Sequence, residues 1–202
     1  GNSRSIKLYE GNRIGVVDIG SNTVRLVVFD APARLPVPIF NERVVCGLGK
    51  GLGQTGLLNP DGRELAIKTL GRFTRLAYEM RVENFVLVAT AAVREADDGS
   101  MFVREVKQKF GYSIRILSGD EEARLGALGI IGGAPQAQGI AGDLGGGSLD
   151  LISLEKGFFG KSDTLPLGHI RVGEDSNQDL SNAQHLVVEN LNLLTWLGTS
   201  PR

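Results

Sequence analysis

The stretch GDLGGGSLD, residues 142–150, stands between two apolar runs. Gly139-Ile140-Ala141 leads into Asp143, and Leu149-Asp150-Leu151-Ile152-Ser153-Leu154 follows Ser148. Both runs read as strands. Gly145, Gly146 and Gly147 turn the chain between them into a hairpin whose backbone can approach a ligand closely. Successive N–H groups in such a loop form an anion-binding nest. An acid at the strand end can hold a metal ion on that anion, so the residue types suit phosphate together with Mg²⁺.

The same device occurs earlier. Residues 16–29, VVDIGSNTVRLVVF, align with residues 141–154 without a gap. Asp18 falls on Asp143, Gly20 on Gly145 and Thr23 on Ser148, 125 positions apart. A single G-x-G is weak evidence. Two strand–Asp–Gly–hydroxyl–strand units in one register predict two similar domains, each lending one hairpin to a phosphate held between them. The competing reading is a pair of ordinary glycine-turned hairpins, but a turn does not need the acid that precedes it.

Composition narrows the field. The 202 residues allow one large domain or two small ones, and 42% hydrophobic content is normal for a folded chain. No apolar run approaches the roughly 20 residues that span a bilayer. The start, GNSRSIKLYEGNR, lacks a secretory h-region, so a cytoplasmic location is expected. A single cysteine, Cys46, leaves no internal disulfide framework or thiolate zinc cluster, and its setting reads as a structural thiol in a strand. The net charge of −1 argues against a general nucleic-acid binder. An anionic substrate must therefore be met by local cations and a metal.

Along the chain, residues 1–12 read as a polar lead-in, 13–18 and 23–30 as strands, and 31–38 as a proline-bearing connection. Residues 39–46 read as a third strand. The loop GLGKGLGQTG, residues 47–56, mimics a dinucleotide fingerprint but is not followed at once by a helix. Lys50 in that loop is placed at the cleft mouth. A helix starts at Asn59-Pro60, an N-cap followed by proline at the first helical position. Ala66, Leu70, Phe73, Ala77 and Met80 then mark its buried face. Residues 84–90 predict a strand buried on both faces, 100–110 a helix, 113–117 a strand and 120–131 a helix. The order is that of a mixed α/β layout.

Five motifs carry a resemblance to the exopolyphosphatase/guanosine pentaphosphate phosphohydrolase (Ppx/GppA) family: DIGSNTVRL (18–26), ATAAVREA (89–96), SGDEEARLG (118–126), DLGGGSLDL (143–151) and LPLGHIRV (165–172). That family is part of the wider group of actin-like ATPases, sugar kinases and heat-shock chaperones. The resemblance implies an α/β fold of duplicated ribonuclease-H-like domains, here 1–132 and 133–202, with the second incomplete. It implies hydrolysis of terminal phosphate from inorganic polyphosphate or guanosine pentaphosphate, with Mg²⁺ as cofactor, and it leaves a homodimer open. Two alternatives stand beside it: a kinase or ATPase on the same fold, and a sensor that binds polyphosphate or an alarmone without turnover.

In the family pattern the first Glu of GDEEAR is the base for the attacking water, which places that role on Glu121. The competing reading makes Glu121 and Glu122 ordinary acids of a helix N-terminus. Glu122 points about 100° away from Glu121 around the axis. It is taken as the weaker candidate, paired with a nearby arginine. Arg94 is assigned to clamp phosphoryl oxygens, against a surface arginine paired with Glu95 or Asp97. Asp18 and Asp143 match the family's metal-side carboxylates, and Asp150 stands where many members have Glu. Ser21, Asn22, Gly145, Gly146, Gly147 and Ser148 are assigned to phosphate. Arg25 receives no role, His169 and His185 are read as structural or exposed, and Gly168 as a backbone requirement. The resemblance stops at Val172. Residues 173–202, with abrupt junctions at Ser176-Asn177 and Val187-Val188, are too few to supply the rest of the family's second domain.

Overall fold

The computed structural model describes residues 12–30 and 37–198. The proline-bearing connection at 31–36 and nearly all of the polar lead-in lie outside the described residues. Strands β1 (Arg13–Ile19), β2 (Thr23–Phe29) and β3 (Pro38–Val45) form an antiparallel meander. Helices α1 (Leu52–Thr55) and α2 (Pro60–Glu79) lead to β4 (Val82–Ala89), which runs parallel to β1. Helices α3 (Ala91–Glu95) and α4 (Gly99–Phe110) lead to β5 (Ile114–Ile116), which is parallel to β4. The sheet order is β3-β2-β1-β4-β5.

Period-two alternation sets the core. Val17, Ile19, Val24, Leu26 and Val28 point to one face and are wholly buried with Phe73 of α2 and Phe102 of α4. Asp18 and Arg25 lie on the other face. The start of α2 follows its sequence signals: the Asn59 side chain accepts from the Gly62 N–H at 2.9 Å, and Pro60 is the first helical residue. Strand β4 departs from expectation, because Val86 is 44% exposed. Helices cover this sheet on one face among the described residues, so its apolar run is not the mark of a strand sandwiched between two layers. The glycine-rich loop holds the single helical turn α1, with Gly51 and Gly56 in the left-handed region at its ends.

The second sheet repeats the opening meander with β6 (Gly139–Leu144), β7 (Leu149–Glu155) and β8 (Phe158–Leu165). The turns match as well: Gly20 N donates to Thr23 O, and Gly145 N to Ser148 O, both at 2.9 Å. Helix α5 (Gly119–Gly133) packs on this second sheet, with Ala123 and Ala127 against Ala141, Ile152 and Leu154. By packing it goes with the second unit, although the sequence boundary at 132 counted it with the first.

The tail is ordered as α6 (His169–Asp175) and α7 (Leu180–Asn192). Val172, Val187, Leu191, Leu194 and Trp196 close a small core over Leu151, Leu165 and Leu167. The supposed junctions are ordinary local structure. Asn177 and Gln178 take positive φ in a turn, and Val187-Val188 lies inside α7.

Helix α6 ties the second hairpin to the first unit. His169 N and Ile170 N donate to Gly145 O and Gly146 O, both at 3.0 Å. Gly51 N donates to Glu174 Oε1 at 2.8 Å, and Arg171 pairs with Glu95. Gly168 has an ordinary φ of −60°, so conformation does not require glycine there. Space does, since a Cβ at Gly168 would lie 2.3 Å from the Gly146 carbonyl. Gly168→Ala should therefore push the second hairpin away from α6 and cost about 1–3 kcal/mol of stability, an overpacking penalty readable by chemical denaturation. An unchanged midpoint would show that the contact yields freely.

Candidate active site

The two hairpin turns enclose a cavity of about 240 Å³. Asp18, Ser21, Asn22, Asp143, Gly145, Gly146, Gly147 and Ser148 all line it, as the alignment of the two hairpins anticipates, and Glu122, Arg43 and His169 join them. The loops are close-packed. A Cβ on Gly146 would meet the Ser21 Cβ at 2.9 Å, and one on Gly147 would meet Ser21 Oγ at 2.9 Å. The N–H groups of Ser21, Asn22, Gly146 and Gly147 donate to no carbonyl among the described residues. Four unengaged donors beside one cavity are what an anion nest offers a phosphoryl group.

The acids divide in a way the sequence reading reversed. Glu121 does not line the cavity. It closes a capping box: Ser118 N donates to Glu121 Oε2 at 2.9 Å, and Glu121 N donates to Ser118 Oγ at 3.2 Å. Arg115 donates to its other oxygen at 2.5 Å. The Ser118 N–H, and then Arg115, hold the Glu121 carboxyl below the usual range. A carboxylate engaged in this way is a poor base. The 100° step along α5 instead turns Glu122 inward, where its side chain is only 15% exposed. Glu122 Oε2 is buried without a hydrogen-bond partner, and its nearest cation is Arg94 Nη1 at 3.5 Å. Burial, and then the neighbouring Asp150 charge, push the Glu122 carboxyl up to about 7.

Arg94 is partly buried rather than a surface arginine. Its Nη1 donates to Leu117 O at 2.7 Å, which fixes the guanidinium between α3 and the strand end of β5. Glu95, named as a surface partner, lies 4.0 Å away and pairs chiefly with Arg171.

Asp18 and Asp143 line the same cavity, close enough for their charges to interact. Burial and then the Asp143 charge raise the Asp18 carboxyl, while Arg25 opposes the shift. Asp150 differs from its expected place among the metal-side acids. It is 2% exposed, does not line the cavity, and accepts from Ser148 Oγ at 3.0 Å and Thr164 Oγ1 at 2.6 Å. Both its oxygens are thus committed to hydroxyls, and burial raises its carboxyl. It thus holds the hydroxyl of Ser148, a residue of the cavity wall. Among the described residues no three His, Cys, Asp or Glu side chains form a ready-made metal cluster. Two carboxylates on one cavity and an orphaned Glu122 oxygen do suit a Mg²⁺ ion held largely through water.

Lys50 is not at this cleft. It lines a separate groove of about 720 Å³ beside α2, where Arg63 pairs with Asp98 and Glu105, and Lys109 with Glu105. His169 is exposed as expected but lines the cleft, with its Nδ1 3.1 Å from Gly145 O. Sequence reasoning missed Arg43 and Thr164 altogether. It aimed Glu121 rather than Glu122 at the cleft although a signal was present: S-x-x-E at 118–121 is a capping box, and that motif commits its Glu to the backbone.

Comparison with known proteins bears on the family and the fold. Exopolyphosphatase 1 of Mycobacterium tuberculosis is 31% identical over 144 residues, covering 70% of this chain and 42% of that protein. A guanosine-5'-triphosphate,3'-diphosphate pyrophosphatase of Pseudoalteromonas atlantica is 29% identical over 137 residues, covering 67% of this chain and 27% of its own. Among solved structures, an exopolyphosphatase from Cytophaga hutchinsonii superposes with a TM-score of 0.75 at 28% identity, over 81% of this chain and 53% of that one. In each case the chain spans about half of the relative or less. The paired meanders are the two ribonuclease-H-like halves of the actin-like fold, the second incomplete here. No helix among the described residues is long and apolar enough to cross a membrane. With residues 27–190 matching that family's model, the chain belongs to the Ppx/GppA phosphatase family.

Proposed function

We propose that this chain carries the catalytic cleft of a Mg²⁺-dependent phosphohydrolase that removes the terminal phosphate of inorganic polyphosphate, guanosine pentaphosphate or both. The observation that carries the proposal is Glu122, a nearly buried carboxylate poised near 7 beside four unengaged backbone N–H donors. General-base catalysis is most effective when the base titrates near the working pH. The terminal phosphoryl group would sit in the cradle of Ser21, Asn22 and Gly145–Gly146–Gly147–Ser148. Glu122 would take a proton from the attacking water at its unpartnered Oε2. Arg94 would steady the Glu122 carboxylate and present its fork to the phosphoryl oxygens, a geometry an ammonium cannot reproduce. Asp18 and Asp143 would hold Mg²⁺, whose charge offsets that of the phosphoryl oxygens. Asp150 would fix the Ser148 hydroxyl. Catalysis by positioning and charge neutralisation needs no covalent intermediate. The names of the relatives support the substrate class, and a phosphate cradle with no base-recognition element favours neither substrate over the other.

In the full-length protein, Glu122→Gln should lower turnover by about 10²–10⁴-fold, the usual worth of a general base, with substrate binding largely kept. Glu121→Gln should leave turnover near the wild-type rate. Phosphate-release assays on both variants check this, and the opposite order of losses would return the base to Glu121.

Arg94→Lys should also depress turnover in the same assay, because the fork is lost while the charge stays. An unchanged rate would reduce Arg94 to a structural residue.

The Glu122 carboxyl also makes stability depend on pH. Its folded pKa of about 7 exceeds the ordinary 4.5, so between those values the folded chain holds a proton that the unfolded chain releases. Stability is therefore lost as pH rises through this window. Glu122→Gln should raise stability at pH 8 by on the order of 1–3 kcal/mol and flatten the pH profile between about 5 and 8. Thermal melts across that range test the expectation, and a steeper profile in the variant would contradict it.

A further inference from the structure

We infer that Arg43 is a specificity-determining residue of this cleft, one that holds the second phosphoryl group of a phosphoanhydride chain whose terminal group occupies the cradle. The inference rests on the phosphate reading of the cleft and extends it to the part of the substrate that is not cleaved. Strand register is the first observation. Asp18 stands opposite Arg25, and Arg25 stands opposite Arg43. Directly opposed residues share a face, so the three side chains form one row across β1, β2 and β3. Strands lie about 4.8 Å apart, which puts Arg43 roughly 10 Å from Asp18 along that row.

Charge is the second observation. Arg25 is already engaged. Its Nε donates to Asn41 Oδ1 at 2.9 Å, and its charge acts on Asp18. Arg43 lines the cavity, is exposed, and forms no ion pair or side-chain hydrogen bond among the described residues. It is also the lone Lys or Arg among the described residues that line the cavity.

The opposite wall is acidic, with Glu122 and Asp143 lining the cavity and Asp150 behind Ser148. A polyanion leaving the cradle is repelled from that wall and drawn along the β2–β3 face. The first uncommitted cation it meets there is Arg43. A guanidinium with no partner to release is suited to bidentate contact with a phosphoryl group. Orthophosphate, which has no second group, does not reach it.

The test compares orthophosphate with tripolyphosphate, each titrated calorimetrically in excess Mg²⁺ into the wild-type chain, Arg43→Gln and Lys50→Gln. Lys50→Gln removes the same charge from an exposed site outside the cleft. Arg43→Gln should weaken tripolyphosphate by about 5–10-fold, the size of one exposed charge-assisted contact, and weaken orthophosphate far less. Lys50→Gln should leave both affinities close to wild type. Equal losses for the two ligands, equal losses from the two variants, or no loss from Arg43→Gln would each overturn the assignment of Arg43 while leaving the cradle intact. A wild-type chain that binds neither ligand would overturn the phosphate reading of the cleft, and Arg43 with it.

Discussion

The close contact of glycine backbone on Ser21 where the two hairpins meet is the constraint from which the rest follows. Gly146 and Gly147 lie against Ser21, and Gly168 lies against Gly146, with no room for a Cβ at any of the three. A single side chain in that seam would separate the turns. The loop N–H groups would then no longer converge on one cavity. The seam also explains why α6 begins at His169: its first N–H groups are spent on Gly145 O and Gly146 O, which tie the second hairpin to the helix that reaches back to the first unit. Glu174 on Gly51 N and Arg171 on Glu95 complete the same junction.

Bringing the turns together also concentrates negative charge. Asp18, Asp143, Glu122 and Asp150 share one small region, and the Arg94 charge acts on Glu122 and Asp150. The duplication is not symmetric here. Asp18 has Arg25 opposite it, whereas Asp143 has Asp150. The first unit thus carries its own counter-charge and the second does not. Hydroxyl donors to Asp150 offset part of the excess, burial and mutual repulsion push the Asp18, Glu122 and Asp150 carboxyls up, and in the proposed enzyme a divalent cation would offset the rest. Such crowding costs stability, and perturbed carboxylates of this kind cluster where chemistry is done.

Much of this was legible in the chain. The gap-free alignment of residues 16–29 with 141–154 foretold two hairpins, and both have the same turn closure, while the third strand of the second sheet, β8, was not read. The N-cap at Asn59 and the heptad-like spacing of Ala66, Leu70, Phe73 and Ala77 gave α2 its start and its buried face. What misled was local ambiguity that only packing resolves. The run at 84–90 reads as doubly buried, yet one face of β4 is open, because apolar content alone does not say how many layers cover a strand. Helix α5 reads as the close of the first unit, but its small residues Ala123 and Ala127 fit the second sheet. Arg43 was invisible because its meaning lies in strand register. Glu121 and Glu122 differ by one step on a helix, and that step decides which of them the backbone claims.

In the proposed enzyme Glu122 is the carboxylate held in reserve for a proton. Its titration can be followed directly by NMR of side-chain-labelled glutamate, assigned through Glu122→Gln. The account predicts one glutamate titrating near 7 that shifts to lower pH when Mg²⁺ is added, while Glu121 titrates below the usual carboxylate range. A Glu122 carboxyl that titrates in the ordinary range near 4.5 and ignores Mg²⁺ would contradict it.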